Sequence, residues 1–416
     1  MKILLIQPKS SEKTSIFRSY LDRINNKLFF PPFTLEQLAG IITNKHEVRL
    51  IDERIGKKID FYGDYDLIGI TSFTSCINRA YEIADKFMKI GKKVVMGGYH
   101  PSALPKEAKQ HCHSVVVGES EYIWPNLLKD IEMDKLKPVY IQDKPVAPND
   151  IPPLNREQTS GYYFIGAVQA TRGCPYQCEF CAISNMKYRS VFRTRPLEKV
   201  INEIESLSHK MLHFYDASLT TDRNYTKALF KEMKDLNKKF TCNSNVNVLI
   251  KDEEILKLAS EAGCVKWFIG FESILQKNLN SLGKKNVVKE YEKVVKKIRD
   301  YDMDVFGLFM FGLDYDTSNI FDSTLGFILN DLELTSVNFY ILTPLPGTPL
   351  YNRFEKEGRI ITKDWSKYTL DNVVIKPKLM SPKELIEGTQ RIKKEFHSFL
   401  NIAKHPKNLY FNIFYV

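Results

Sequence analysis

Thr171-Arg172-Gly173-Cys174-Pro175-Tyr176-Gln177-Cys178-Glu179-Phe180-Cys181 follows a strand-like run at 164–170 and sets three cysteines in a Cys-x3-Cys-x2-Cys spacing. Thiolates are the soft ligands that iron–sulfur clusters require. Three instead of four leave one iron of a [4Fe–4S] cluster without a protein ligand, and an open coordination position is where other metal enzymes bind substrate or cofactor. A zinc knuckle and chance clustering are the competing readings. Structural zinc takes four closed ligands, and the nearby histidine, His213, is far away in sequence.

Working downstream from that loop, short apolar strands alternate with amphipathic stretches. Strands are expected near 210–215, 239–245, 264–270, 304–312 and 335–342, with helices near 196–208, 222–236, 252–261, 286–301 and 318–331. With the run at 164–170 this makes six βα units, a partial parallel barrel with its helices outside. Chemistry in such barrels gathers at the carboxyl ends of the strands. The cysteine loop lies on that rim, as do Asp216, Asn243, Asn245, Glu272, Gly312 and the turn from Thr343 to Pro349. Each of these also reads as a strand cap or a buried polar group, least easily Glu272, because a glutamate on an apolar strand needs a partner.

Upstream, residues 1–135 repeat the alternation with strands near 3–7, 47–51, 66–71, 93–97 and 114–118 and helices near 34–44, 77–90, 104–110 and 121–132. That pattern predicts a doubly wound, flavodoxin-like parallel sheet, in which ligands bind beyond the carboxyl ends of the strands. All five ends are polar or glycine: Gln7-Pro8, Asp52-Glu53, Thr71-Ser72, Gly97-Gly98-Tyr99-His100 and Gly118-Glu119-Ser120. Paired glycines let backbone come close to a bulky ligand. No G-x-G-x-x-G follows the first strand, which argues against a dinucleotide. Residues 136–160 carry five prolines and read as an extended tether. The barrel then occupies 161–344. A third region, 345–416, is rich in aromatics (Trp365, Tyr368, Phe396, Phe399, Tyr410, Phe411, Phe414, Tyr415) and reads either as an apolar lid over the barrel mouth or as ordinary packing.

Composition fits this plan. At 416 residues, 43% hydrophobic and 26% charged, the chain is neither disordered nor fibrous nor a disulfide scaffold. A net charge of +10 spread along the whole length reads as a solvated basic surface, not a nucleic-acid site. The first residues are too short an apolar run for a signal peptide, and no stretch approaches a membrane span. A cytoplasmic protein is expected, and in a reducing compartment clustered cysteines suggest metal before disulfides. Cys76, Cys112, Cys242 and Cys264 stand isolated in the sequence and read as small buried side chains.

Three stretches of the chain resemble known families. Pro31-Pro32-Phe33-Thr34-Leu35-Glu36-Gln37-Leu38-Ala39, Asp66-Leu67-Ile68-Gly69-Ile70-Thr71-Ser72, Gly97-Gly98-Tyr99-His100-Pro101 and Gly118-Glu119 resemble the cobalamin-binding domain that precedes many radical SAM enzymes. The resemblance implies that Thr71, Ser72, Gly97, Gly98, Tyr99 and Glu119 face cobalamin. The D-x-H-x-x-G of the mutases is missing: Asp52-Glu53-Arg54-Ile55-Gly56 has arginine where the histidine would stand. No axial histidine for cobalt is therefore expected. The cysteine loop resembles the radical SAM signature, whose open iron chelates S-adenosylmethionine. By the same resemblance Phe180, Gly312 and Leu345 lie at the adenine, and Asp216, Asn243 and Glu272 at the ribose and methionyl groups. Pro344 to Tyr351, with Asp364-Trp365, Tyr368 and Met380-Ser381-Pro382, resembles the branch that includes the hopanoid C-methylases.

That branch implies a C-methyltransferase. A flavodoxin or ferredoxin supplies one electron, a 5′-deoxyadenosyl radical activates an unreactive carbon of a small molecule or lipid, and methylcobalamin gives the methyl group. A radical SAM enzyme of cyclisation, coupling or rearrangement with an unused first domain is the alternative, and a non-enzymatic iron–sulfur or nucleic-acid-binding protein a remoter one.

Overall fold

The structure, a computed structural model, describes residues 1–10, 30–42 and 45–398. Two six-stranded, wholly parallel sheets organise it. The first contains β1 (Lys2–Gln7), β2 (Glu47–Asp52), β3 (Leu67–Thr71), β4 (Lys93–Gly97), β5 (Ser114–Val117) and β6 (Val139–Ile141), in the order β2-β1-β3-β4-β5-β6. Strands such as Leu-Ile-Gly-Ile-Thr are buried on both faces because helices cover both sides, which is why they read as unbroken apolar runs. The chain reverses its winding between β1 and β3, so the ligand crevice of such a sheet opens at the end of β3, at Thr71-Ser72.

β6 lies inside the stretch expected to be a tether. Its three residues pair parallel with β5, and Pro138 contributes only its carbonyl, accepting from Val115 N–H. A proline beside a three-residue edge strand is tolerated because that edge needs no further donor. The rest of the stretch also packs on the first sheet, with Thr159 Oγ1 donating to Glu36 and Gln158 Oε1 accepting from Leu50 N–H.

The second sheet contains β7 (Gly166–Val168), β10 (Met211–Phe214), β11 (Lys239–Ser244), β12 (Cys264–Glu272), β13 (Asp304–Phe311) and β14 (Ser336–Ile341), running β14-β13-β12-β11-β10-β7. Between β7 and β10 a small antiparallel pair, β8 (Thr171–Arg172) and β9 (Arg193–Thr194), closes the base of the cysteine loop. Helices cover the outer face, where Phe214, Phe230, Phe240 and Trp267 interlock with ring centroids 5.4 to 6.3 Å apart. Full burial of each such side chain stabilises by about 1.5–3 kcal/mol.

Helices Pro349–Lys356 and Pro382–Phe396 follow the last strand, with irregular chain between them. The longer one starts on a capping box, Ser381 with Glu384, and sets Phe396 edge-on to Phe339 of β14. Trp365 and Tyr368 are buried against the first domain, and Trp365 Nε1 donates to Glu107. This part of the extension is a wedge between the two sheets. Phe399, Tyr410, Phe411, Phe414 and Tyr415 lie outside the described residues, as do the last two residues of the expected helix at 34–44.

Candidate active site

The carboxyl ends of the two sheets face one cavity of about 460 Å³. All six residues expected at cobalamin (Thr71, Ser72, Gly97, Gly98, Tyr99 and Glu119) line it from the first sheet. Gly173, Ala182 and Ile183 of the cysteine loop, with Tyr215 and Leu345 beyond other barrel strands, line it from the second. Phe180, Asp216, Asn243, Glu272 and Gly312 are not among its lining residues.

The cysteine loop is held by its own backbone. Gly173 has φ +88°, and a Cβ there would sit 2.3 Å from Val191 O. Glycine is needed for the turn into Cys174, whose N–H donates to Arg189 O at 2.8 Å. Asn185 Nδ2 donates to the carbonyls of Cys178 and Cys181, at 3.1 and 2.8 Å. Glu179 N–H donates to Leu282 O at 2.9 Å. The Glu179 side chain meets Arg353 of the extension in two bonds of 2.7 and 2.9 Å, and Arg353 also reaches Asp314 beyond β13 at 2.9 Å.

Cys174 and Cys178 are buried and Cys181 is half-buried, all as free thiols. Burial raises the Cys174 thiol and pushes Cys178 up to about 11, against the opposing pull of the Lys284 ammonium. Lys284 stays charged despite burial because Glu272 Oε1 stands 3.0 Å from its Nζ, and the thiols add to that attraction. Three thiols with a buried cation behind them fit an anionic iron–sulfur cluster, whose metal ionises its ligands outright. Among the described residues no three His, Cys, Asp or Glu converge tightly enough to grip a single metal ion. A cluster makes a different demand, one thiolate for each ligated iron.

Glu272 ends β12 at φ +66°, unusual for a residue other than glycine, just after the pairing with β13 shifts register. Strained backbone of this kind costs about 1–3 kcal/mol and gathers at functional sites. Asp216 and Asn243 are placed differently. The Asp216 carboxylate is fully buried and accepts from the N–H groups of Ala170 and Thr171 and from Thr171 Oγ1. Burial pushes its pKa up to about 6. It therefore buttresses the start of the cysteine loop, and Asn243 Nδ2 donates to the Asp216 carbonyl at 2.8 Å. Asn245 Nδ2 donates to Ser218. Gly312, at φ +91°, donates its N–H to Asp316, and the Leu345 carbonyl accepts from Thr348. Phe180 packs, partly buried, against the core that joins the first domain to the extension.

In the first domain two side chains are already engaged. Tyr99 OH donates to Pro346 O at 2.6 Å, and Glu119 is enclosed by arginines that hold its carboxyl down at about 2. Arg54 grips Asp52 through bonds of 2.7 to 3.1 Å and is not part of the cavity wall. No described residue of that wall is a histidine. Sequence reasoning missed Arg189, Glu121, Gln169 and Tyr215, which carry no motif and enter the wall only through the fold. Cys242 and Cys264, isolated in sequence, are buried neighbours on adjacent strands, and burial and the Cys264 thiol raise Cys242 well above the ordinary thiol range.

Residues 168–328 match the Radical SAM superfamily, and residues 24–128 match the B12 binding domain. Bacteriochlorophyllide d C-12(1)-methyltransferase of Chlorobaculum tepidum is 33% identical across 97% of this chain and 89% of its own length. The chain belongs to the cobalamin-binding radical SAM enzymes. The hopanoid C-2 methylase of Rhodopseudomonas palustris, 25% identical over 90% of this chain and 72% of its own, is similar too. Among solved structures, the radical S-adenosylmethionine methyltransferase TsrM of Kitasatospora setae, with cobalamin and a [4Fe–4S] cluster bound, shares the fold at TM-score 0.73 and 16% identity over 97% of this chain and 90% of that one. The chain is thus a methyltransferase of this family, with a [4Fe–4S] cluster, S-adenosylmethionine and cobalamin as its cofactors. No helix among the described residues is long and apolar enough to cross a membrane.

Proposed function

We propose that this enzyme methylates an unactivated carbon of a flat, multi-ring small molecule held between the two sheets, with a flavodoxin or ferredoxin as electron donor. The observation that carries the reading is the shared cavity, with small strand-end residues on one wall and the cysteine loop on the other. Its apolar patches, among them Phe73, Ile183, Met186 and Tyr215, suit a flat conjugated ring better than a sugar or a peptide. The similarity to an enzyme of bacteriochlorophyllide d points the same way.

In this reading Cys174, Cys178 and Cys181 hold the cluster. Glu272 and the main chain at Gly312 and Leu345 receive S-adenosylmethionine, with Phe180 near its adenine. Asp216 and Asn243 act one step back, fixing the loop that carries the thiols. Thr71, Ser72, Gly97 and Gly98 shape the space for cobalamin, while Tyr99 and Glu119 tie that wall to the barrel. Bound there, the cluster supplies the electron that cleaves S-adenosylmethionine, and cobalamin supplies the methyl group. The protein's work is to fix both against one substrate carbon and to exclude water from the space between them.

The test is anaerobic incubation of the reconstituted protein with S-adenosylmethionine, a reductant and a chlorophyllide, read by mass spectrometry. A product heavier by one methylene group together with 5′-deoxyadenosine supports the reading. Formation of 5′-deoxyadenosine with cyclised, unmethylated product overturns it.

A further inference from the structure

Two other ionic knots among the described residues balance. Arg353, Arg359 and Lys378 meet Glu179, Asp314 and Glu357, and Arg156 and Arg195 meet Glu36 and Glu203. The knot in the cavity wall does not. There the guanidinium groups of Arg172, Arg189 and Arg193 face only the carboxylates of Glu119 and Glu121.

Four of those five groups are nearly enclosed and well partnered. Arg193 forks onto Glu119 at 2.8 and 2.9 Å and also reaches Val146 O at 2.8 Å. Arg172 donates to Glu121 at 2.5 Å and to Gln169 at 3.1 Å. Glu121 takes a further bond from Gln37 at 2.5 Å. Arg189 is the remainder. Its Nε stands 3.2 Å from Glu119 Oε1 without the alignment of a hydrogen bond, and its terminal nitrogens make no bond to a described residue. Its side chain lines the cavity and is 26% exposed, the most open of the five.

We propose that Arg189 is an anion-binding residue, completing its pairing with a phosphate or carboxylate oxygen of the small molecule that occupies the cavity. A guanidinium presents a planar fork matched to such groups, and a charge-assisted pair in a partly dry wall is stronger than a neutral hydrogen bond. Two sources carry that chemistry: the phosphodiester of cobalamin, and a carboxylate on the substrate. The proposal rests on the cavity being the ligand chamber.

The test uses the full chain with its cluster reconstituted, as wild type, Arg189→Lys and Arg189→Met. The Cys174 N–H bond goes to the Arg189 backbone carbonyl, so the substitutions leave the loop's own support in place. Unchanged iron content checks this. Equilibrium binding is measured for cobalamin, for cobinamide (which lacks the phosphodiester), for inorganic phosphate and for acetate. Arg189→Met is expected to weaken at least one anionic probe by about ten-fold while cobinamide is unaffected, with Arg189→Lys between the two. Loss of the advantage of cobalamin over cobinamide assigns the site to the phosphodiester. Persistence of that advantage, with phosphate or acetate binding lost, assigns it to a substrate carboxylate. Equal binding of every probe by all three proteins overturns the proposal. A wild type that holds no cobalamin overturns the cavity reading instead, while the phosphate and acetate measurements still decide the role of Arg189.

Discussion

The two sheets obey one topological rule and furnish their carboxyl ends in opposite ways. The first ends in Thr71-Ser72, Gly97-Gly98 and Gly118, small residues that add little chemistry and leave room. The second ends in thiols, a strained glutamate paired with a buried lysine, and a glycine whose N–H is held by a buried aspartate. A corrin brings its own metal and its own nitrogen ligands, so its host needs shape. A cluster is built on protein ligands, so its host needs charge and fixed sulfur. Substitutions at the second sheet should therefore remove chemistry outright, and substitutions at the first should act through space and backbone.

The largest effect is expected at the thiols. Replacing Cys174, Cys178 and Cys181 with alanine should take iron from about four per chain to none and abolish 5′-deoxyadenosine formation. Cobalamin retention should survive, because its wall is the other sheet. Loss of cobalamin together with iron would show that the two ends are one cooperative unit and would break the contrast between the two sheets.

Lys284 comes next. Lys284→Met leaves Glu272 without a partner in a site only 12% open, and removing one half of such a pair costs about 3 kcal/mol. Chemical denaturation of wild type, Lys284→Met and the double variant Lys284→Met with Glu272→Gln reads this directly. The double variant should recover much of the loss, since it no longer strands a charge. If the single variant is as stable as wild type, Lys284 is not the counter-charge of this end.

Much of this was legible in the sequence, for a physical reason. Parallel strands covered on both faces must be continuous apolar runs, so the expected strands at 93–97 and 239–245 fall within a residue of the observed ones. The cysteine spacing was legible because a cluster needs several thiols from one short loop. β6 was not, because three residues between prolines carry no periodicity. Nor was the engagement of Asp216: a buried aspartate at a strand end looks the same in sequence whether it faces a nucleotide or, as here, the N–H groups of Ala170 and Thr171. Arg189 was invisible because a surplus charge exists only once Glu119 and Glu121 have been assigned to their partners.

At the first sheet the glycines should differ although they are adjacent. The close approach expected of Gly98 is to protein: at φ +93° its Cβ would fall 2.7 Å from Thr71 Oγ1 and 2.8 Å from Ser72 N. Gly98→Val is expected to cost about 1–3 kcal/mol and to impair cobalamin retention by moving the end of β3. At Gly97 an added Cβ meets only Val116, at an ordinary 3.5 Å, so Gly97→Ala should fold with wild-type stability. Equal destabilisation by both would show that strain at Gly98 is not what matters. Where cobalamin binds, electron paramagnetic resonance of its cobalt(II) form should show no nitrogen splitting from the protein, as no described residue of the cavity wall is a histidine. Histidine-type splitting would place a protein ligand on cobalt and end the reading of the first sheet as shape alone.

A further effect depends on pH, and it sharpens the same contrast because, among the described residues, the ends of the second sheet hold buried carboxylates with raised pKa values, Asp216 and Asp316. Asp316 accepts from the N–H groups of Gly312 and Leu313, both at 3.0 Å, and from Asn278 Nδ2 at 2.7 Å. Even so, burial pushes its pKa up to about 7 from an ordinary 3.8. Those three bonds offset only part of the cost of desolvating the charge. An acid raised in the folded state binds its proton more tightly there than in the unfolded chain. Its contribution to stability is therefore fully present below the unfolded value and is lost as pH rises through about 7. Between those limits one proton gives a slope of at most about 1.4 kcal/mol per pH unit. Asp316→Asn removes the titration. The difference in unfolding free energy between wild type and variant, measured at several pH values from 4.5 to about 8, should shift in favour of wild type as pH falls and level off at the alkaline end. A difference that stays constant, or shifts the other way, would mean that the three donors hold the carboxylate ionised throughout, and that the turn bearing Gly312 is fixed by charge as firmly as the thiol loop.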